Sequence, residues 1–319
     1  VSDPSEDFHK HYDRLIAACA ELPPARIAVA HPCEARSLRS ALDAAGEGLI
    51  TPVLVGPRRR IEKAAAEIGA EIGGFALVDT EHSHASAERA VALARAGEVE
   101  GVMKGSLHTD ELLAAVIHRE HGLRTGRRLS HVFAVATRNY PKPLFITDAA
   151  INIEPGLAEK ADIAQNAIDL CRSLGIRTPR VAILSAVETV NPRIPSTVEA
   201  AALCKMADRG QIRGGLLDGP LAFDNAISRE AAEIKGIVSE VAGRPDVLLV
   251  PDLTSGNILV KQLTFLGGAD AAGIVLGARV PVILSSRSDS LRSRLASCAL
   301  AVLLLHREAT PLAGDADGD

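Results

Sequence analysis

The feature that most constrains this chain is an alternation, sustained almost from end to end, of short apolar runs with longer amphipathic stretches. Arg26–Ala30 (RIAVA) has the length and content of a buried strand, and Glu34–Ala45 follows with Leu38 and Leu42 on one helical face. The same reading predicts strands at Pro52–Val55, Phe75–Val78, Gly101–Lys104, Leu129–Thr137 and Pro143–Thr147. Helices are predicted between them over Arg59–Ile68, Ala85–Ala96 and Thr109–His118. After Pro155-Gly156 the pattern restarts, with helices over Ala158–Leu174, Ser196–Arg209, Ser228–Val241, Ser255–Leu266 and Ser290–Leu304. The strands among these are Val181–Ser185, Gly215–Asp218, Val247–Pro251, Ile274–Leu276 and Val282–Leu284. Strand–helix units of this length predict an α/β protein, its mostly parallel sheets covered by helices on both faces. The units share no residue signature, which argues against a repeat protein.

A chain of 319 residues suits two domains. The stretch around Tyr140-Pro141-Lys142-Pro143 cannot be helical and marks a boundary, giving a first domain over 1–139 and a second over 140–289. The apolar share is 47%, yet aromatics supply 3% and Trp is absent, so the core must come from Ala, Val, Leu and Ile. A formal net charge of −5 excludes the basic surplus that nucleic-acid binding requires, and an anionic substrate would need a local basic pocket. Cys19, Cys33, Cys171, Cys204 and Cys298 form no CxxC pair and read as reduced core thiols. His31, His82, His84 and His121 lack partners at metal-ligand spacing and read as loop or surface residues, so no metal is expected. No secretory segment and no apolar run of about 18 residues is present, which points to a cytoplasmic protein. The first residue is Val, as in a processed chain or one cut from a longer protein. The acidic end, Gly314–Asp319, is expected to be disordered.

Ligands of open α/β sheets bind beyond the carboxyl ends of the strands. Four segments at such ends are richer in polar and small residues than a simple connection needs. Leu284-Ser285-Ser286-Arg287-Ser288-Asp289-Ser290 opens the last helix, where Ser288 or Asp289 could cap and Arg287 adds a fork suited to phosphate. Its bland alternative is an ordinary cap beside a solvated Arg. Pro251-Asp252-Leu253-Thr254-Ser255-Gly256-Asn257 runs on to Lys261 and, alone, is a common turn and cap. Met103-Lys104-Gly105-Ser106-Leu107-His108-Thr109 places Lys104 at a strand end. Arg124, Arg127 and Arg128 fall within five positions, the densest positive cluster of an acidic chain. No GxGxxG follows a strand, and neither GxxxxGK[ST] nor GxSxG occurs, so dinucleotide, P-loop and serine-hydrolase chemistry lack their signatures.

Taken together, PDLTSGN (251–257), Lys261, LGGADAAG (266–273), PVILSSRSDS (281–290), MKGSLHT (103–109), GLRTGRRLSHV (122–132) and DGPLAFDNAI (218–227) resemble the phosphate acetyltransferase and butyryltransferase family. The similarity spans roughly residues 20–305. The arginine loop and SRSDS resemble the butyryl branch. The resemblance implies two α/β/α domains of the isocitrate dehydrogenase type with an interdomain active site. It also implies a last helix, 290–319, that returns to the first domain, and a homodimer. In some relatives such a chain lies behind a hydratase domain.

The implied reaction moves a short acyl group, acetyl in preference to butyryl, between coenzyme A and inorganic phosphate. Coenzyme A is then a substrate, and acyl-coenzyme A, phosphate and acyl phosphate are the partners; no cofactor is required. By resemblance, Arg287 holds the phosphoryl group, Ser286 donates to the thiol or carbonyl oxygen, and Asp289 is the candidate base. Arg124 is a second phosphate contact, while Lys104, Ser106, Ser130, His131, Asn257 and Lys261 line the pocket. The adenosine end of the coenzyme would lie along the second domain. Acetyltransferase members carry a carboxylate seven residues after the serine of the SR pair, proposed as the base for the thiol; here that position is Ser293, flanked by Arg292 and Arg294. Ala114 and Ala115 stand near the place of a missing family arginine. Two alternatives remain. One is a non-catalytic acyl-coenzyme A sensor. The other is a decarboxylating dehydrogenase of the same fold, which would need an Asp cluster for a divalent metal; Asp218 and Asp224 do not form an i, i+4 pair.

Overall fold

A computed structural model describes residues 10–284 and 289–306. In chain order the elements begin with α1 (Lys10–Ala17), β1 (Ala25–Ala30), α2 (Ala35–Gly46), β2 (Ile50–Gly56) and α3 (Arg58–Glu67). They continue with β3 (Ala76–Asp79), α4 (Ser83–Arg95), β4 (Gly101–Lys104), α5 (Thr109–Val116), β5 (Ser130–Ala136) and β6 (Leu144–Thr147). Next come α6 (Leu157–Ser173), β7 (Arg180–Leu184), α7 (Pro195–Asp208), β8 (Leu216–Leu221), α8 (Phe223–Ile227) and α9 (Arg229–Ile234). The last are β9 (Val247–Leu249), α10 (Leu253–Phe265), β10 (Asp270–Leu276), β11 (Val282–Ile283) and α11 (Leu291–Leu305).

The chain forms two compact units. Among the described residues, the first comprises 12–127, 272–284 and 289–306, with strand order β3-β2-β1-β4-β11-β10. β1 to β4 and β11 run parallel, and β10 turns back antiparallel onto β11. The interior strand β1 has Ile27, Ala28, Val29 and Ala30 fully buried, as a parallel strand covered on both faces must. α11 belongs to this unit, and eight consecutive residues, Ala296–Leu303, are buried all round.

The second unit is built around Arg128–Ala271, with strand order β5-β6-β9-β7-β8. β6, β9, β7 and β8 are parallel, whereas β5 pairs antiparallel with β6. The expected α/β architecture with mostly parallel sheets is present, and its core is aliphatic as composition requires.

Local differences are informative. The helix expected over Ser228–Val241 stops at Ile234, just before Gly236, whose φ of 68° a continuing helix cannot use. α8 precedes it, and Ser228 caps α9 by accepting the Ala231 N–H at 3.2 Å. α1 had no counterpart in the sequence reading. α11 is capped by neither Ser288 nor Asp289: Ser290 is its N-cap and accepts the Ser293 N–H at 3.1 Å, while Ser288 lies outside the described residues. The expected disordered end, Gly314–Asp319, lies outside them as well. The five cysteines are free, and four of them are buried. Among the described residues no helix is long and apolar enough to cross a membrane.

Candidate functional site

In the first unit, β4 is flanked by β1 and β11 in parallel, with Ala30 opposite Lys104 and Ile283 opposite Met103. The carboxyl ends of these strands therefore lie side by side. That register brings Lys104-Gly105-Ser106 to the edge at which β11 ends; the expected site residues Ser286 and Arg287 lie outside the described residues. Lys104 is half-buried, and its Nζ donates to the carbonyls of Gly105 (3.3 Å) and Leu107 (3.1 Å). Ser106 Oγ donates to the His31 carbonyl at 2.7 Å and accepts the Cys33 N–H at 3.2 Å. Its proton is committed to the fold, so the hydroxyl can offer a ligand only its remaining lone pair.

Arg124 is exposed, and its backbone bridges Ala278. Thr125 Oγ1 donates to the Gly277 carbonyl at 2.6 Å, and Arg279 N–H donates to the Leu123 carbonyl at 2.8 Å, so the arginine loop is tied to the β10–β11 connection. Arg128 is not available to an anion in the same way. Its guanidinium pairs with Glu159 at 3.0 Å and donates to Asn152 Oδ1 at 2.7 Å. The Asp289 carbonyl accepts from Arg36 and Arg294, each at 2.9 Å. Burial and the nearby Arg36 lower the pKa of Arg294.

In the second unit, the antiparallel register puts the start of β5 at the carboxyl end of β6. Ser130 is buried, and its Oγ accepts from Asn166 Nδ2 at 2.9 Å. His131 is 2% exposed, with its ring 4.2 Å from that of Phe133 and its Nδ1 without a hydrogen-bond partner. Continuing the Val132–Thr147 register by one position sets Asp148 across from His131. The Asp148 carboxylate accepts from the N–H groups of Ala150, Ile151 and Asn152 and from Asn152 Nδ2. Burial pushes the His131 pKa down to about 4, and the Asp148 charge opposes that shift. Asn257 Nδ2 donates to the Ala149 carbonyl at 3.2 Å, which ties α10 to the loop after β6; Lys261 is exposed.

At this same edge lies a pocket of about 1160 Å³. The first turns of α6 (Gly156), α7 (Pro195 and Ser196) and α10 (Asp252 and Ser255) open onto it, and Leu184, Val250, Ile258, Leu259 and Leu263 give it apolar walls. Lys160 and Glu199 form a largely buried ion pair in its lining. Glu154 and Asp252 also line it, so carboxylates outnumber the single lysine. Sequence reasoning missed Lys160, Glu199 and the α7 wall, because nothing local signals that α6 and α7 face each other. Asp148 could have been found, since it follows a strand at the ligand edge. Among the described residues no group of three or more His, Cys, Asp or Glu side chains is placed to hold a metal ion; Asp218 and Asp224 therefore belong to no such cluster.

Residues 85–302, more than half of the chain, match the family model described as phosphate acetyl/butaryl transferase. The chain belongs to this family. Among its relatives, the phosphate acetyltransferase of Rhizobium meliloti is 61% identical over 93% of this chain and 94% of its own length. The phosphate butyryltransferase of Clostridium acetobutylicum is 40% identical over 92% of this chain and 98% of its own. A crystal structure of a branched-chain phosphotransacylase from Enterococcus faecalis V583 superposes with a TM-score of 0.76 at 31% identity, covering 88% of this chain and 99% of that one. Ser293, the position that the sequence resemblance sets against a carboxylate, is 5% exposed and accepts a hydrogen bond from Ser290 Oγ at 3.1 Å. Ser293 cannot serve as a base.

Proposed function

We propose that this chain is a phosphate acyltransferase that moves a short acyl group, acetyl in preference to butyryl, between coenzyme A and inorganic phosphate. The observation that carries this reading is the family match, strengthened by 61% identity to a phosphate acetyltransferase over nearly the full length of both chains. In one direction a phosphate oxygen attacks the thioester carbonyl, the acyl–sulfur bond breaks and the thiolate takes up a proton. In the other, the thiolate attacks the acyl phosphate and inorganic phosphate leaves. Neither direction needs a covalent enzyme intermediate or a resident cofactor.

The chemistry sets the demands on the residues. A free thiol has a pKa of about 8.5, so its proton must be taken or its anion stabilised. The role proposed for Asp289 is that of base. Arg287 binds the phosphoryl oxygens, with Arg124 as a second contact, and Ser286 donates to the thiol or to the developing oxyanion, where one preorganised donor contributes roughly 3 kcal/mol. Lys104, Ser106, Ser130, His131, Asn257 and Lys261 complete the substrate surroundings. The apolar, carboxylate-bearing pocket of the second unit suits the uncharged adenine and pantetheine portions of the coenzyme better than its phosphates. A cytoplasmic homodimer completes the reading.

The test is an assay of acetyl-, propionyl- and butyryl-coenzyme A with phosphate, following thiol release, on the wild-type chain and on Arg287→Ala. Acetyl turnover above butyryl turnover is expected, with a large loss of phosphate affinity in the variant. No thiol release with any of the three would refute the activity. Normal turnover and normal apparent phosphate affinity in Arg287→Ala would refute the role of that residue.

A further inference from the structure

His31 stands at the carboxyl end of β1 with a backbone φ of 59°, in the left-handed region that few residues other than glycine adopt. Its carbonyl accepts three hydrogen bonds: from Cys33 N–H at 2.8 Å, from Ser106 N–H at 2.9 Å and from Ser106 Oγ at 2.7 Å. Gly105 passes so close that a Cβ there would lie 2.4 Å from the Ala30 carbonyl oxygen and 2.6 Å from the His31 carbonyl carbon. The Lys104-Gly105-Ser106 turn is thus moulded onto the His31 backbone.

The ring explains why this turn holds. His31 is 4% exposed, correcting the expectation of a loop or surface histidine: it is in a loop, but buried. Arg60 Nη1 lies 3.3 Å from Nε2, and Nδ1 lies 3.0 Å from Ser86 Oγ. A guanidinium can only donate, so Nε2 accepts and the neutral ring carries its proton on Nδ1. Nδ1–H then donates to Ser86 Oγ, whose own proton goes to the His82 carbonyl at 2.8 Å, and Thr80 Oγ1, also at 2.8 Å, donates to Ser86. Every polar atom in this chain of contacts is used in one consistent direction.

We infer that His31 is a positioning residue for the proposed acyl transfer: its neutral ring, clamped between Arg60 and Ser86, locks the left-handed turn whose carbonyl holds Ser106 and the Lys104 loop in place. This rests on the assignment of Lys104 and Ser106 to the substrate surroundings. The charged and titratable groups around the ring are Arg60 from α3, Glu111 from α5, His82 from the start of α4, and Glu34 and Cys33 from the loop after β1. Burial and Arg60 lower the His31 pKa, so the ring stays neutral near pH 7. Acid protonation would remove the acceptor for Arg60 and set two cations together, releasing the clamp.

The test uses His31→Gly, which permits the backbone turn without the ring, and His31→Asn, which tolerates a left-handed backbone and does not titrate. Amide hydrogen exchange at Cys33 and Ser106 is read by NMR, beside steady-state kinetics. In His31→Gly, exchange at both amides is expected to rise at least about tenfold, and kcat/KM for phosphate to fall by about tenfold or more. His31→Asn should recover part of that loss, and its kcat/KM for phosphate should fall less on acidification than that of the wild type. Wild-type exchange and kinetics in both variants would overturn the inference. A wild-type chain that transfers no acyl group would refute the proposed function, while the exchange rates would still decide the structural role of His31.

Discussion

Replacing Gly256 by Ala separates a packing effect from a catalytic one. Gly256 lies in the first turn of α10, where a Cβ would stand 2.6 Å from Val250 Cγ2, 2.9 Å from Ala149 Cβ and 3.1 Å from Ala149 Cα. Comfortable carbon contacts begin near 3.5 Å, so α10 must retreat by about 1 Å. Overpacking of this kind costs about 1–3 kcal/mol. Two of the three contacts belong to the short, stiff Ala149, which favours the upper half of that range. Against it, Ala in place of Gly stabilises a helix interior by about 1 kcal/mol. The expected net loss is about 1–2 kcal/mol, read as a lowered urea midpoint. The effect on turnover should be larger. The retreat stretches the 3.2 Å hydrogen bond from Asn257 to the Ala149 carbonyl and shifts Ser255 and Ile258 in the pocket wall, and a 1 Å misplacement can cost about a hundredfold in rate. A variant that gains stability and keeps full turnover would refute the close-approach argument.

Two further outcomes follow from buried titrating groups. His131, at about 4 against 6.5 in the unfolded chain, binds fewer protons when folded. Its contribution is therefore complete above about pH 6.5 and is lost as pH falls toward 4, amounting to roughly 3 kcal/mol. Urea midpoints across that window should fall more steeply for the wild type than for His131→Gln, and parallel slopes would refute the assignment. In Asp148→Asn the His131 pKa should drop further, as read by NMR titration, because the opposing carboxylate charge is gone. Burial raises the thiols of Cys33 to about 11 and of Cys19, Cys204 and Cys298 to about 12, and raises Cys171 as well. The folded chain should react slowly with a chromogenic disulfide at pH 8, and all five thiols should appear on unfolding. Rapid titration of several thiols in the folded state would contradict this burial.

What the sequence determined by itself was local. Helical periodicity and short apolar runs are set by neighbouring residues, so β1, β4 and α2 lie within about two residues of their expected limits. The motif blocks were legible too, because each is a short continuous stretch; PDLTSGN, MKGSLHT and DGPLAFDNAI lie at the ends of β9, β4 and β8. Tertiary structure decided the rest. No residue near Met103 announces that β4 will pair with β11, or that β5 will turn antiparallel to β6, since partner choice depends on burial distributed over the whole sheet. Nor does the sequence around His31 say that its ring will be buried between Arg60 and Ser86, or that Lys160 on α6 will meet Glu199 on α7. Those contacts join residues far apart along the chain and form only when packing brings their elements together, so local propensity carries no record of them.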